Sequence, residues 1–224
     1  MKTWNGMEDL LDANGAEAAD VVFYGYSSLA APAQNSATLF LKFLNAAAGA
    51  EASWMNTLFR AGAPGDRAYR DILVVAHSLG ALVTRRALLD AISSDFGWVK
   101  RSRLLLFGPA HMGTRLPELK AMLNSGAGSI LADAFTFAQI KMPVIDDLAK
   151  DSDFLKDLLA DSQAAVDNGV DQPVRAEGVI FGQFDNIVIN RTFCRDPLAD
   201  VWDNEDHCSV CRAPQTVFAV ARHL

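Results

Sequence analysis

Apolar positions fall into short unbroken runs separated by stretches with helical spacing. Residues 20–26, 72–76, 103–107 and 178–181 are runs of β-prone apolar side chains, as expected of strands buried on both faces. Between and around them, residues 4–13, 36–48, 81–92 and 215–222 carry apolar side chains three and four apart, the spacing of a helix with one buried face. Strands that alternate with helices predict an α/β fold, a mostly parallel sheet with helices on both faces. The stretch between the last two strands, residues 116–166, breaks the alternation. Its part 126–142 is rich in Ala, Leu, Ile and Phe. In residues 144–159, Val144, Leu148, Phe154, Leu155 and Leu158 alternate with acidic neighbours. Such a helical insertion lies over the C-terminal edge of the sheet, where it is either a lid or a pair of packed covering helices; both need an amphipathic face.

The junction between the second strand and its helix carries the strongest chemical signal. Ala76-His77-Ser78-Leu79-Gly80 places a serine on a tight strand-to-helix bend, flanked two residues away on each side by a small residue. Small flanks are required because the bend brings them together; here alanine stands at the first position. A serine so placed presents its hydroxyl as a nucleophile, with the Leu79 N–H aimed where an oxyanion forms. As a plain helix cap, Ser78 would need no such context.

A serine nucleophile needs a base and an orienting acid. Asp185 stands just past the strand 178–181, at the same sheet edge as Ser78, and His207 lies on a polar loop before the last helix. Of the other histidines, His77 neighbours the serine but is expected to leave the bend in another direction, and His223 is near the end of the chain. His111, in Gly108-Pro-Ala-His-Met-Gly-Thr114, follows a strand and is the rival base; it precedes the best acid, so it is assigned to the pocket floor or to a loop hydrogen bond. The carboxylates Asp196, Asp200, Asp203, Glu205 and Asp206 crowd one loop and read mostly as solvated charges.

Composition narrows the remaining choices. The chain of 224 residues is 50% hydrophobic, enough for one sizeable core, and a single domain over 1–224 is expected. Its formal charge of -7, with 20 basic residues scattered among 27 acidic ones, excludes the clustered basic face of a nucleic-acid reader. No apolar run reaches the length of a membrane span and the start lacks the apolar core of an export signal, so a cytoplasmic location is expected. Cys194, Cys208 and Cys211 then read as free thiols. A zinc site on Cys208, Cys211 and His207 would need Cys194 to fold back onto them, so no metal ligand is assigned.

The bend with its helix, the Gly108–Thr114 segment, Gly182-Gln-Phe-Asp185-Asn-Ile-Val188 and Asp206-His-Cys-Ser-Val-Cys-Arg-Ala-Pro214, in that order, resemble the α/β-hydrolase superfamily. The likeness is to its lipase-like and esterase-like branch, which includes the SERAC-type and PGAP-type proteins. It spans about residues 20 to 220. The resemblance implies Ser78 as nucleophile, Asp185 as acid, His207 as base and the Leu79 N–H as one oxyanion donor, with His77 and His111 near the pocket. It implies a small-molecule or lipid ester as substrate and no metal or organic cofactor; it leaves the oligomeric state open. A catalytically inactive hydrolase fold serving as a binding or scaffolding module is the alternative. Members of the superfamily also begin with strands leading to a His-Gly-rich loop that supplies the second oxyanion N–H, and nothing before Trp4 resembles it. Either the coding frame continues upstream through such a segment, or a shortened sheet brings Val21 to Tyr26 next to Leu73 to Ala76, and Tyr24, Gly25, Tyr26 or Ser27 replaces the donor.

Overall fold

The computed structural model describes residues 4, 20–26, 31–48, 69–115, 117–119, 143–188 and 192–224. Within them four strands, β1 (Ile72–His77), β2 (Ser102–Phe107), β3 (Ala176–Gly182) and β4 (Asp200–Trp202), form one sheet in the order β1-β2-β3-β4. Every pairing is parallel, with Ile72 opposite Ser102 and Ile180 opposite Asp200. Five α-helices accompany them: α1 (Ala33–Ala48), α2 (Leu79–Ser93), α3 (Pro143–Asp147), α4 (Asp153–Asp167) and α5 (Pro214–Ala221).

Alternation along each strand splits the core in two. Val74, Ala76, Leu104, Leu106, Val179 and Phe181 face one way and pack with Phe40 and Leu44 of α1, Leu82 and Leu88 of α2 and Leu158 of α4. Leu73, Val75, Leu105, Phe107 and Ile180 face the other way, against Val217 and Val220 of α5, with Val210 and Trp4 closing that side. Neighbouring parallel strands joined in chain order by right-handed crossovers must place their helices on one face, which is why α2 and α4 share the first core. Only a segment beyond the last strand, α5, reaches the second among the described helices.

Several expectations meet the structure here. Residues 20–26 form no strand: they pair with nothing in the sheet, β1 stands at its edge among the described residues, and Val21, Val22 and Phe23 are exposed. Their apolar run is used through aromatic packing, with the Tyr24 ring 4.8 Å from Phe40 and 4.9 Å from Phe43 of α1. Three-residue β4 lies within the expected acidic loop, since Asp200-Val-Trp202 is too short to show a period. Apart from Trp4, the helix expected over 4–13 lies outside the described residues, as does the 126–142 part of the insertion. The described part of the insertion, through Leu119, Val144, Leu148, Leu155 and Leu158, joins the first helical layer. α4 is tied to α2 by Arg86, whose guanidinium meets Asp161 at 2.5 Å, and α3 sets Asp147 at the start of α1, where its carboxylate accepts from the Ala33 N–H at 2.7 Å.

Candidate active site

Each of the four strands delivers a residue of the site from its C-terminal end. β1 ends at the bend carrying Ser78, which sits at φ 55°, a left-handed conformation that costs a non-glycine residue on the order of 1 kcal/mol or more. Two bonds hold the bend: the Ser78 N–H donates to the Phe107 carbonyl at the end of β2 (3.0 Å), and the Ser78 carbonyl accepts from Ala81 N–H (3.1 Å). The serine side chain therefore projects from the sheet edge while α2 runs back along it.

β3 ends at Gly182, and the turn after it carries Asp185. Its Oδ1 accepts the N–H groups of Ile187 (3.0 Å) and Val188 (3.1 Å), which fixes the carboxylate plane. Burial acts to raise the Asp185 pKa; the hydrogen bond from His207 and the two backbone donors outweigh it and hold the group below its ordinary value. β4 ends just before the turn carrying His207. Asp206 caps that turn, accepting from Cys208 N–H (2.8 Å) and Ser209 N–H (2.7 Å), while its own N–H donates to Ser209 Oγ (2.8 Å). The two turns are laced together: Gln183 N–H donates to the Trp202 carbonyl and Phe184 N–H to the Glu205 carbonyl, both at 2.9 Å.

The result is a continuous chain of hydrogen bonds. Ser78 Oγ lies 2.8 Å from His207 Nε2, and His207 Nδ1 lies 2.9 Å from Asp185 Oδ2. A carboxylate only accepts, so Nδ1 carries the proton and Nε2 presents its lone pair to the serine hydroxyl. His207 is 3% exposed and Asp185 8%, so their pairing is little screened by water. Two glycines make room. Gly108 has φ 48°, and a Cβ there would sit 3.1 Å from His207 Nδ1 and 3.3 Å from Asp185 Oδ2, against the bond between them. At Gly182 a Cβ would meet the Glu205 carbonyl oxygen at 2.4 Å, so the loop that carries His207 could not close on β3.

The other histidines take different places. His77 turns toward the site: its Nε2 is 2.7 Å from the His207 carbonyl, and the two rings lie 4.9 Å apart. The expected departure in another direction is thus corrected, and strand parity gives the reason. Residues 73, 75 and 77 share one strand face, and that face is covered by α5, which follows His207 directly. His111 is 3% exposed and turned away into the first core, where Arg85 Nε donates to its Nε2 at 3.2 Å and the Phe193 ring lies 4.4 Å from its own. Burial and the Arg85 charge push its pKa well below the ordinary value, and its one lone pair is engaged.

Asp196 was missed in the sequence. Far from solvated, its side chain is 3% exposed and bridges Arg85 Nη2 (2.6 Å) and the Ala176 N–H at the start of β3 (2.9 Å). Arg85 is itself 1% exposed, sits over the Phe193 ring at 4.5 Å and meets Asp196 and His111 together. Cys194 lies beside this pair, while Cys208 and Cys211 share the His207 turn. Among the described residues no group of three metal-ligating side chains converges. Burial pushes the Cys211 thiol up to about 11, so at neutral pH it is a packed thiol rather than a nucleophile. The Leu79 N–H opens α2, where the first amides have no helical acceptor. Beside it, a Cβ on Gly80 would lie 3.7 Å from the Tyr26 hydroxyl.

No family profile matches this chain, and no curated protein does. Among solved structures it is similar to the lipase BlEst2 of Bacillus licheniformis in its mature form, with a TM-score of 0.58 and 16% identity, covering 99% of this chain and 85% of that one. It is also similar to the phospholipase PlaB of Legionella pneumophila, solved in complex with thio-NAD, at a TM-score of 0.52 and 17% identity. That match covers 81% of this chain and 34% of the phospholipase, so the chain spans about a third of that protein. At such identities the likeness is one of fold, and the fold is that of the α/β-hydrolases. No described helix is long and apolar enough to cross a membrane.

Proposed function

We propose that this protein is a serine hydrolase that cleaves a carboxylic ester through an acyl-enzyme on Ser78. One observation carries the reading: the unbroken chain from Asp185 through His207 to Ser78, at 2.9 and 2.8 Å, on an elbow that holds the serine at positive φ. Ser78 Oγ attacks the ester carbonyl as its proton passes to His207 Nε2, and the imidazolium so formed keeps its Nδ1–H on the Asp185 carboxylate. Collapse of the tetrahedral intermediate breaks the bond to the leaving alcohol, which takes the proton from Nε2. A water then gives its proton to the same nitrogen and attacks the acyl carbon, releasing the acid and regenerating Ser78. The Leu79 N–H is one oxyanion donor. The Tyr26 hydroxyl, beside Gly80 at the same helix start, is the second; burial, with Tyr24 nearby, raises its pKa and keeps its proton in place. The lipase and phospholipase among the structural neighbours favour a lipid ester as substrate class.

A fluorophosphonate probe tests the assignment. The native protein should be labelled covalently, and Ser78→Ala should abolish labelling with an unchanged circular dichroism spectrum. Labelling that persists in Ser78→Ala would place the nucleophile elsewhere. A native protein that takes no label and hydrolyses no ester would be a binding module built on a hydrolase fold.

A further inference from the structure

We propose that His77 is a positioning residue, which clamps the backbone of His207 so that the base stays in line with Ser78. The inference rests on the reading of Ser78, His207 and Asp185 given above. The ring of His77 is packed against that of His207, centroids 4.9 Å apart and planes tilted by 43°. Its Nε2 is 2.7 Å from the His207 carbonyl oxygen. A carbonyl only accepts, so Nε2 carries the proton and donates it, which is the tautomer opposite to that of His207.

This bond closes a small circuit. Ser78 meets His207 through the base nitrogen, and the residue just before it meets His207 through the backbone. Nucleophile and base are thereby referred to one peptide unit at the end of β1, instead of through the whole of β2, β3 and β4. The Asp206 cap and the grip of Arg212 Nε and Nη2 on the Cys208 carbonyl (3.0 and 2.8 Å) shape the His207 turn internally. Neither of them attaches it to the elbow, whereas His77 does. A base displaced by about 1 Å from its nucleophile can lose on the order of 100-fold in rate, so a single bond of this kind has large leverage.

His77 also has to remain neutral, because a cation packed against His207 would oppose the imidazolium that forms there. Burial first, and the proximity of His207 second, hold its pKa down to about 3, so it neither competes as a base nor repels the one beside it.

Three substitutions separate this role from packing alone. His77→Phe keeps the ring and loses the donor; we expect kcat for p-nitrophenyl butyrate to fall about 10- to 100-fold with KM unchanged. His77→Gln carries an amide N–H out to the position of Nε2 and should restore most of that loss, whereas His77→Asn, whose amide reaches only to the position of Nδ1, should not. Circular dichroism melting identifies any variant that fails to fold. Equal kcat in the native protein and folded His77→Phe would overturn the proposal, as would equal losses in the Gln and Asn variants. Nitrogen-15 spectra of the histidine rings give a readout that needs no turnover: native His77 should show a protonated Nε2, and the ring signals of His207 should shift in His77→Phe. If the native protein hydrolyses no ester and takes no probe on Ser78, the catalytic reading falls; unchanged His207 signals in His77→Phe would then overturn the clamp as well.

Discussion

Replacing Asp185 by asparagine should nearly abolish turnover while leaving the fold almost intact, and the structure fixes the reason. Oδ1 of Asp185 receives two backbone N–H groups, and Oδ2 receives His207 Nδ1–H. In Asp185→Asn only one oxygen remains. It has to stay where the two N–H groups converge, because turning the amide would leave both unpaired at about 1–3 kcal/mol each. The NH2 group is then forced to face Nδ1, which must give up its proton and accept. The ring proton moves to Nε2 and points at Ser78 Oγ, so the base has no lone pair to offer. A tautomer trapped in this way costs serine hydrolases about 10,000-fold in kcat, equivalent to about 5.4 kcal/mol of barrier. Stability should drop by only about 1–2 kcal/mol, a few degrees in Tm for a chain of this size. Asp185→Ala should behave in the opposite sense. It orphans both N–H groups and melts lower, but it forces no tautomer and should hydrolyse p-nitrophenyl butyrate faster than Asp185→Asn. Steady-state kinetics and thermal melts on the three proteins are sufficient. If the asparagine variant keeps a tenth of native kcat, or outpaces the alanine variant, the tautomer argument is wrong.

Tyr26→Phe removes the oxyanion donor assigned to the phenol and should lower kcat about 100-fold at unchanged KM, measured on the same ester; an unchanged kcat would return the second donor to a backbone amide. Asp196→Asn leaves the buried Arg85 cation without its counter-charge and turns an amide donor toward either Arg85 or the Ala176 N–H, so urea unfolding should show a loss of about 3–5 kcal/mol. Asp185 and Asp206 both have pKa values held below the ordinary carboxyl value, so the stability they contribute is complete above that value and is lost as pH falls through their folded pKa. The urea midpoint of the native protein should therefore decline below about pH 4, and Asp185→Asn should show a shallower decline.

The parts of this fold legible in the sequence are those whose signal is local. Strands β2 and β3 are largely buried on both faces, and β1 is buried on one and half-buried on the other, so their side chains form apolar runs, and the residues of the candidate site follow them by one to three positions: Ser78 after His77, Gly108 after Phe107, Asp185 after Gly182. What the sequence conceals is long-range. Residues 20–26 have the composition of a strand, yet composition names no ladder partner, and the segment lies on α1 through its tyrosines instead. Asp196 looks like its acidic neighbours because the arginine that buries it is 111 residues away. The side of the sheet to which His77 belongs follows from strand parity, but only once α5 is known to cover that side.

The contrast between His207 and His111 shows how such distant contacts set the surroundings of a histidine. Both histidines follow the C-terminal end of a strand, both are 3% exposed, and either has an imidazole suited to general-base catalysis. Chain order favours His207 without giving a cause, whereas the pairings supply one. His111 spends its lone pair on Arg85, a guanidinium kept in the core by Asp196, and a histidine that accepts from a fixed cation has nothing left for a serine proton. His207 has the complementary surroundings: a carboxylate takes its Nδ1 proton, and its Nε2 lone pair is left facing Ser78. The buried Arg85–Asp196 pair thus occupies the lone pair of His111, while the place of His111 in the first core already sets it apart from Ser78. It follows that Arg85→Met, with Asp196→Leu to avoid a lone buried charge, would free the Nε2 lone pair of His111 without giving it a nucleophile, so turnover should still depend wholly on His207.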